Sequence, residues 1–266
     1  MTRRLCLVTG ASAGIGQAFA RIFASHGYDV ALTARRGERL ERLAEEIRLR
    51  YGVETLAIPA DLADPKACDH LVETLAANGR DVDALVNNAG YGLRGGYGET
   101  TWEDERAFLQ VLLVAVCELT HKLLPGMLER RFGRIVNVAS LAGLTPGLPG
   151  RTLYGATKAF LVKFTESLHL ETREQGVHVS ALCPGLTYSE FHDANQTRES
   201  ISRMTPAWIW QGADEVAAAG YEAVEANRVI CVPGAPNKAI AALTRIVPED
   251  WALALIGREQ RRIGRL

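Results

Sequence analysis

The chain of 266 residues carries no long run of one charge, few aromatic residues (7%), three methionines and five cysteines at irregular spacing. Each shortage removes a class of function. A formal net charge of −1, from 30 Lys and Arg against 31 Asp and Glu, offers no electrostatic footprint for nucleic acid or an anionic membrane, so neither is expected as a partner. Cys6, Cys68, Cys117, Cys183 and Cys231 lack metal-ligand spacing, and no His, Cys and carboxylate cluster with such spacing appears, so no metal is expected. Three of the cysteines sit in apolar runs, which fits packing roles in a reducing compartment and predicts a cytoplasmic protein. The opening residues run from basic to apolar as a signal peptide does, but the apolar part is short and Thr9-Gly10 follows at once. No stretch is expected to supply the ~18–20 apolar residues of a membrane span, and no α/β-hydrolase is expected.

What is present is a regular alternation. Short β-rich runs at 5–9, 30–33, 55–59, 84–87, 134–138, 178–182 and 229–232 are separated by helical patterns at 15–26, 38–50, 65–77, 103–128, 155–172 and 214–226. Strands alternating with helices at this spacing predict βαβ units and a parallel sheet buried on both faces. Right-handed crossovers then make it an α/β, doubly wound (Rossmann) sheet of about seven strands. With 47% hydrophobic residues the chain can bury a sizeable core, and one domain over residues 1–266 is expected. The stretch from 188 to 212 lacks a clear period and reads as an irregular flap.

The first strand runs into Thr9-Gly10-Ala-Ser12-Ala-Gly14-Ile15-Gly16, and a helix follows. Glycines let the backbone turn tightly and approach a pyrophosphate, and the helix N-terminus offers free N–H groups and a positive dipole end. Dinucleotide binders that take NAD usually place an acid about 20 residues further on, at the end of the second strand. Here that place holds Thr33-Ala34-Arg35-Arg36. A guanidinium forks onto a phosphate and an acid would repel one, so the sequence predicts NADP(H), with Arg35 as the phosphate partner and Ser12 adding a hydroxyl. The competing reading leaves Arg35 or Arg36 solvated at a helix entrance.

Tyr154 and Lys158 stand four residues apart, and Ser140 lies fourteen residues before Tyr154 at the end of an apolar run. On a helix the first two share a face. A cation beside a phenol favours the phenolate and lowers its pKa from about 10, toward the range where a general acid/base works. Taken alone, the pair also suits a surface tyrosine stacked on a lysine stem.

Together these segments resemble the short-chain dehydrogenase/reductase family, in its single-domain branch. The resemblance rests on residues 9–16, Asp61-Leu62, Asn87-Asn88-Ala89-Gly90, Ser140, the Tyr154-Gly-Ala-Thr-Lys158 run and Pro184-Gly185, all in the family's order, and covers residues 5 to about 232. It implies that Tyr154 passes a proton to or from the substrate oxygen, Ser140 hydrogen-bonds that oxygen, and Lys158 tunes Tyr154 and holds the nicotinamide ribose. It also implies contacts to the cofactor from Gly10, Ser12, Gly14, Ile15, Gly16, Asp61, Leu62, Asn88, Ala89, Gly90, Pro184, Gly185, Thr187 and Ser189, the last standing where the family often has Thr. A small-molecule carbonyl or alcohol is the implied substrate, and a homo-dimer or homo-tetramer built on the central helices the implied assembly.

One departure is larger. Many members have an Asn fifteen residues before the Met of a Pro-x-Met helix end, where it helps hold a proton-relaying water; counting back from Met127 lands on Leu112. Either the relay uses backbone carbonyls and water alone, or the protein is an NADP(H)-binding sensor or scaffold with little turnover. A methyltransferase on a similar sheet is disfavoured by the Tyr and Lys pair and by Arg35. Gly-rich residues 90–98, residues 141–152 and the flap, with Phe191, Met204, Trp208, Ile209 and Trp210, are expected to line the substrate mouth and favour a fairly hydrophobic ligand.

Overall fold

A computed structural model describes residues 3–190 and 206–263. Strands β1 (Leu5–Thr9), β2 (Asp29–Ala34), β3 (Thr55–Pro59), β4 (Val82–Asn87), β5 (Gly133–Val138) and β6 (Val177–Leu182) are those anticipated, with β1 and β3 matching residue for residue. A short last strand, β9 (Ile230–Cys231), completes a seven-stranded parallel sheet in the order β3-β2-β1-β4-β5-β6-β9. The reversal of direction between β1 and β4 is a topological switch point, where a doubly wound sheet opens a crevice at its carboxyl edge.

Side chains alternate across the sheet, as the period of two requires. Cys6, Val8, Val30 and Leu32 face a core with Phe19 and Phe23 of α1 (Gly14–Ser25), Leu40 and Ile47 of α2 (Gly37–Tyr51) and Val216 of α7 (Ala213–Glu225). Leu5, Leu7, Leu85 and Ile135 face the opposite core, with Leu71 and Leu75 of α3 (Ala67–Ala77), Leu119 of α5 (Ala115–Glu129) and Leu168 of α6 (Thr152–Thr172). Burial at about 25 cal/mol per Å² on both faces explains why the strands are almost continuously apolar.

The central helix departs from a plain reading. Helix α4 (Trp102–Leu109) starts at Thr101, whose hydroxyl accepts from Asp104 N, and carries three acids in its first turn. It runs into α5 through a π-helical turn, Gln110–Val114, that includes Leu112. Such turns inside α-helices recur at functional sites. An 18-residue window of this continuous helix has a mean hydropathy of 1.6, so it is long and apolar enough to cross a membrane, correcting the expectation that no stretch would be. In the fold its Phe108, Leu112, Ala115 and Leu119 pack against the sheet and α3.

The ends of the anticipated flap are more ordered than its sequence suggests. Residues Thr187–Tyr188 (β7) and Gln211–Gly212 (β8) pair as a two-stranded parallel sheet, and Tyr188 stacks on Trp210 at 5.0 Å. Phe191 and Met204 lie outside the described residues. Two further helices follow: α8 (Ala235–Leu243), which no sequence pattern announced, and α9 (Glu249–Ile263), whose basic cluster at Arg258, Arg261 and Arg262 reads in the sequence as a solvated helix end. The buried Asn237 of α8 presses on Gly185, where an added methyl would meet its side chain at 2.3 Å.

The turn between β1 and α1 has little room to vary. A Cβ on Gly16 would stand 2.4 Å from the Gly10 carbonyl oxygen and 2.5 Å from Asn88 Nδ2. Gly16→Ala is therefore expected to destabilise the protein by about 1–3 kcal/mol, the range for forced overpacking, measured by urea unfolding. An unchanged midpoint would show that the turn yields.

Candidate active site

A cleft of about 640 Å³ opens at the carboxyl ends of the strands around the switch point. Of the residues singled out in the sequence, Gly10, Ser12, Gly14, Ile15, Arg35, Asp61, Leu62, Asn88, Ala89, Gly90, Ser140, Tyr154, Lys158, Pro184, Gly185, Thr187 and Ser189 line it. Gly16 does not. Its place is inside the crossing of helix and strand, so its role is close packing rather than ligand contact.

The wall near β1 is held by hydrogen bonds between strand ends. Thr9 Oγ1 donates to Val86 O at 3.1 Å and accepts from the backbone N–H groups of Asn88 and Ala89 at 2.9 and 3.0 Å. Asn88 Nδ2 donates to Thr9 O at 2.9 Å and Gly10 O at 3.3 Å. Gly14 takes φ +55°, a left-handed conformation natural to glycine, and opens α1. Ala13 at the N-cap has no polar side chain to cap that helix, which leaves its first N–H groups to a ligand. An anionic group fits this turn.

At the far end Arg36, not Arg35, is the guanidinium directed to the Gly-rich turn. Its Nη2 and Nε donate to Ser12 Oγ at 3.0 and 3.3 Å. Arg35 also lines the cleft. The choice between two adjacent arginines turns on how the chain enters α2, which no local pattern specifies. Residues 10–14 also carry the Gly-x-Ser-x-Gly spacing of a hydrolase nucleophile elbow. Ser12 has a cation as partner rather than a base, and among the described residues no histidine lines the cleft. The hydrolase reading therefore fails on contacts and not on spacing.

The reacting end is built by β5 and α6. Ser140 follows β5 and caps the short 3-10 turn Leu141–Gly143 through Ala142 N, at 3.2 Å. Tyr154 lies in the first turn of α6, one turn before Lys158. Ser140 hydrogen-bonds the Tyr154 hydroxyl. Lys158 is buried, and its Nζ donates to Val138 O at 2.7 Å while standing 5.8 Å from the Tyr154 ring centre. Burial raises the Tyr154 pKa above its ordinary value, against a downward pull from Ser140 and Arg151. This corrects the expectation that Lys158 depresses the phenol: with its own pKa lowered to about 8, the lysine is neutral where the phenol ionises, and desolvation prevails. The same burial lowers the Lys158 pKa to about 8.

Further lining residues fall in the three segments expected at the substrate mouth, 90–98, 141–152 and the flap, although none was singled out there by its chemistry. Arg151 sits 5.6 Å from the Tyr154 ring centre, and its signal was available, since it precedes Tyr154 by three residues at the start of α6. Tyr91, Thr145, Leu148 and Glu190 also face the cleft. Leu112 is buried and lines the cleft beside Gly90, where the count from Met127 located it.

Lys158 gives a pH test. Its folded pKa of about 8 lies below the ordinary 10.5, so between these values the unfolded chain binds the extra proton. Stability contributed by this site therefore rises with pH across that window and is lowest below it. Urea unfolding from pH 7.5 to 10.5 is expected to show the parent gaining stability relative to Lys158→Met. Parallel profiles would show that Lys158 titrates normally.

The sequence model of the short chain dehydrogenase family matches residues 4–200. The chain is 37% identical over 221 residues to nodulation protein G of Rhizobium sp. (strain N33), covering 82% of this chain and 88% of that protein. It is 36% identical over 214 residues to the NADP-dependent 3-hydroxy acid dehydrogenase YdfG of Salmonella typhimurium, covering 76% and 84%. Among solved structures, a short-chain dehydrogenase from Sphingobium yanoikuyae in complex with NADPH superposes with a TM-score of 0.79 at 30% identity, covering 99% of this chain and 96% of that one. With the family's sequence model covering most of its length and the sheet, glycine turn and Ser, Tyr and Lys group in place, the chain belongs to the short chain dehydrogenase family.

Proposed function

We propose that the protein is an NADP(H)-dependent oxidoreductase that interconverts a carbonyl and a secondary alcohol on a fairly hydrophobic small molecule. The observation that carries this reading is that one cleft holds Ser140, Tyr154 and Lys158 at one end and the Ser12 and Arg36 pair at the other. NADP(H), when bound, supplies the hydride. The glycine turn and the uncapped start of α1 hold its pyrophosphate, Asp61 and Leu62 flank its adenine, and Ser12 with Arg36 meets its 2′-phosphate. Asn88, Ala89, Gly90, Pro184, Gly185, Thr187 and Ser189 line its path toward Tyr154.

The chain's own part is to place and move a proton. Ser140 orients the substrate oxygen, and Tyr154 Oη gives it a proton in reduction or takes one in oxidation. Lys158, anchored by its hydrogen bond to the Val138 carbonyl, would hold the nicotinamide ribose beside Tyr154. The described base of the flap, at about 188–212, presents Tyr188 and Trp210, while Trp208 stands exposed. Trp208, Ile209 and Trp210, expected at the mouth, do not line the cleft; its apolar lining of Leu62, Val111, Leu112, Leu141, Leu148 and Leu186 favours a hydrophobic substrate. Val114, Phe160 and Leu170 are exposed on the central helices, which supports a homo-dimer or homo-tetramer through them. Light scattering showing only monomer would remove that part.

Leu112 favours a second reading, a cofactor-binding sensor with little turnover, because a buried leucine lies where proton relay would need a polar group. NADPH oxidation against a panel of ketones and aldehydes separates the two. In the enzyme reading the parent turns over and Leu112→Asn changes the rate little. In the sensor reading turnover appears only in Leu112→Asn.

Tyr154→Phe is expected to reduce kcat by about 10²–10⁴-fold, the usual contribution of a general acid/base, while leaving NADPH affinity unchanged. Arg36→Asp is expected to weaken NADPH about tenfold or more relative to NADH, the cost of losing a charged hydrogen bond. Equal losses for both cofactors would remove the 2′-phosphate assignment.

A further inference from the structure

The guanidinium assigned to the 2′-phosphate is already engaged by an anion from far along the chain. Glu190 Oε2 lies 2.8 Å from Arg36 Nη2, the same nitrogen that donates to Ser12 Oγ. Its other oxygen, Oε1, accepts from Arg39 Nη1 at 2.5 Å. Glu190 is brought there by the segment that crosses the glycine turn, since a Cβ on Gly14 would stand 2.8 Å from Ser189 Cβ. A carboxylate, a serine hydroxyl and a guanidinium therefore occupy the corner where a phosphate on the adenosine ribose would have to enter.

We infer that Glu190 is a specificity-determining residue: its carboxylate occupies Arg36 as an internal substitute for the 2′-phosphate and gives that contact up when a phosphorylated cofactor binds. The inference rests on the NADP(H) reading above. A phosphate and a carboxylate on one guanidinium repel each other, so both cannot keep full contact with Arg36. Arg39 makes the exchange inexpensive, because it keeps its hold on the other Glu190 oxygen from the first turn of α2. All three side chains are between 40% and 46% exposed, so the ion pair is weak and readily traded. NAD(H) has no phosphate to exchange and leaves the pair intact. Glu190 thus opposes the phosphorylated cofactor alone, moderating a preference that Arg36 creates.

Calorimetric titration at fixed ionic strength with NADPH, NADH, 2′,5′-ADP and 5′-AMP tests this directly. The fragments carry the adenosine end without the reacting ring. Glu190→Gln removes the charge and keeps the shape. It is expected to tighten NADPH and 2′,5′-ADP by roughly twofold to fivefold, the scale of one exposed ion pair, and to leave NADH and 5′-AMP unchanged. No gain for the phosphorylated pair, a loss, or an equal gain for all four ligands would overturn the inference. Arg36→Ala separates the two failures. If the parent discriminates between 2′,5′-ADP and 5′-AMP through Arg36 while Glu190→Gln has no effect, only the role of Glu190 falls. If the parent shows no such discrimination, the NADP(H) reading falls with it.

Discussion

Everything at the site depends on one close crossing, where the end of β1, the start of α1 and the segment after β4 meet around the side chains of Thr9 and Asn88. Asn88 Nδ2 satisfies the Thr9 and Gly10 carbonyls, and Thr9 Oγ1 satisfies two backbone N–H groups in return. These are buried or partly buried groups beyond the regular ladder, and each would cost about 1–3 kcal/mol if orphaned. The staple works only because Gly10 and Gly16 carry no Cβ to obstruct it. It sets where the strands diverge, and the divergence is the cleft.

The electrostatics of the reacting end follow from burial before they follow from charge pairing. Tyr154 is driven up and Lys158 down, both by desolvation, so each side chain leans toward its neutral form. The Val138 carbonyl holds the lysine, and Ser140 holds the tyrosine. A positioned proton donor flanked by a lysine of reduced basicity suits a step that needs protonation and then recovery of the proton. The π-helical turn bears on the same region, because it sets Leu112 against Gly90 on the cleft wall.

Much of this was legible in the chain. The strands were, because both faces of the sheet are buried and the runs are mostly apolar. The glycine turn, Ser140, Tyr154 and Lys158 were, because their spacing is local to an element boundary. Three features escaped for three reasons. The π turn is a matter of backbone register that an apolar run does not encode. Helix α8 exposes much of its surface, with Ile240 and Leu243 open, so no periodic apolar face announced it. Glu190 meets Arg39 across 151 positions of sequence, and only the fold brings them together. The choice of Arg36 over Arg35 belongs with these, since neighbours in sequence diverge in direction once α2 begins.

The two ends of the cleft are therefore built on different physics. At one end the partners are buried, and the Lys158 contact to Val138 is short and shielded from solvent. At the other, Arg36, Arg39 and Glu190 form an open network near half exposure. Salt screens exposed charges within about 8–10 Å and buried ones much less. On the function proposed above, ionic strength would act on which cofactor is held and how firmly, and hardly at all on proton transfer beside Tyr154. On the same proposal, a cleft so divided would adjust its choice of dinucleotide through surface residues such as Glu190 without disturbing the chemistry, because the groups proposed to select and those proposed to react share a backbone frame but no charge.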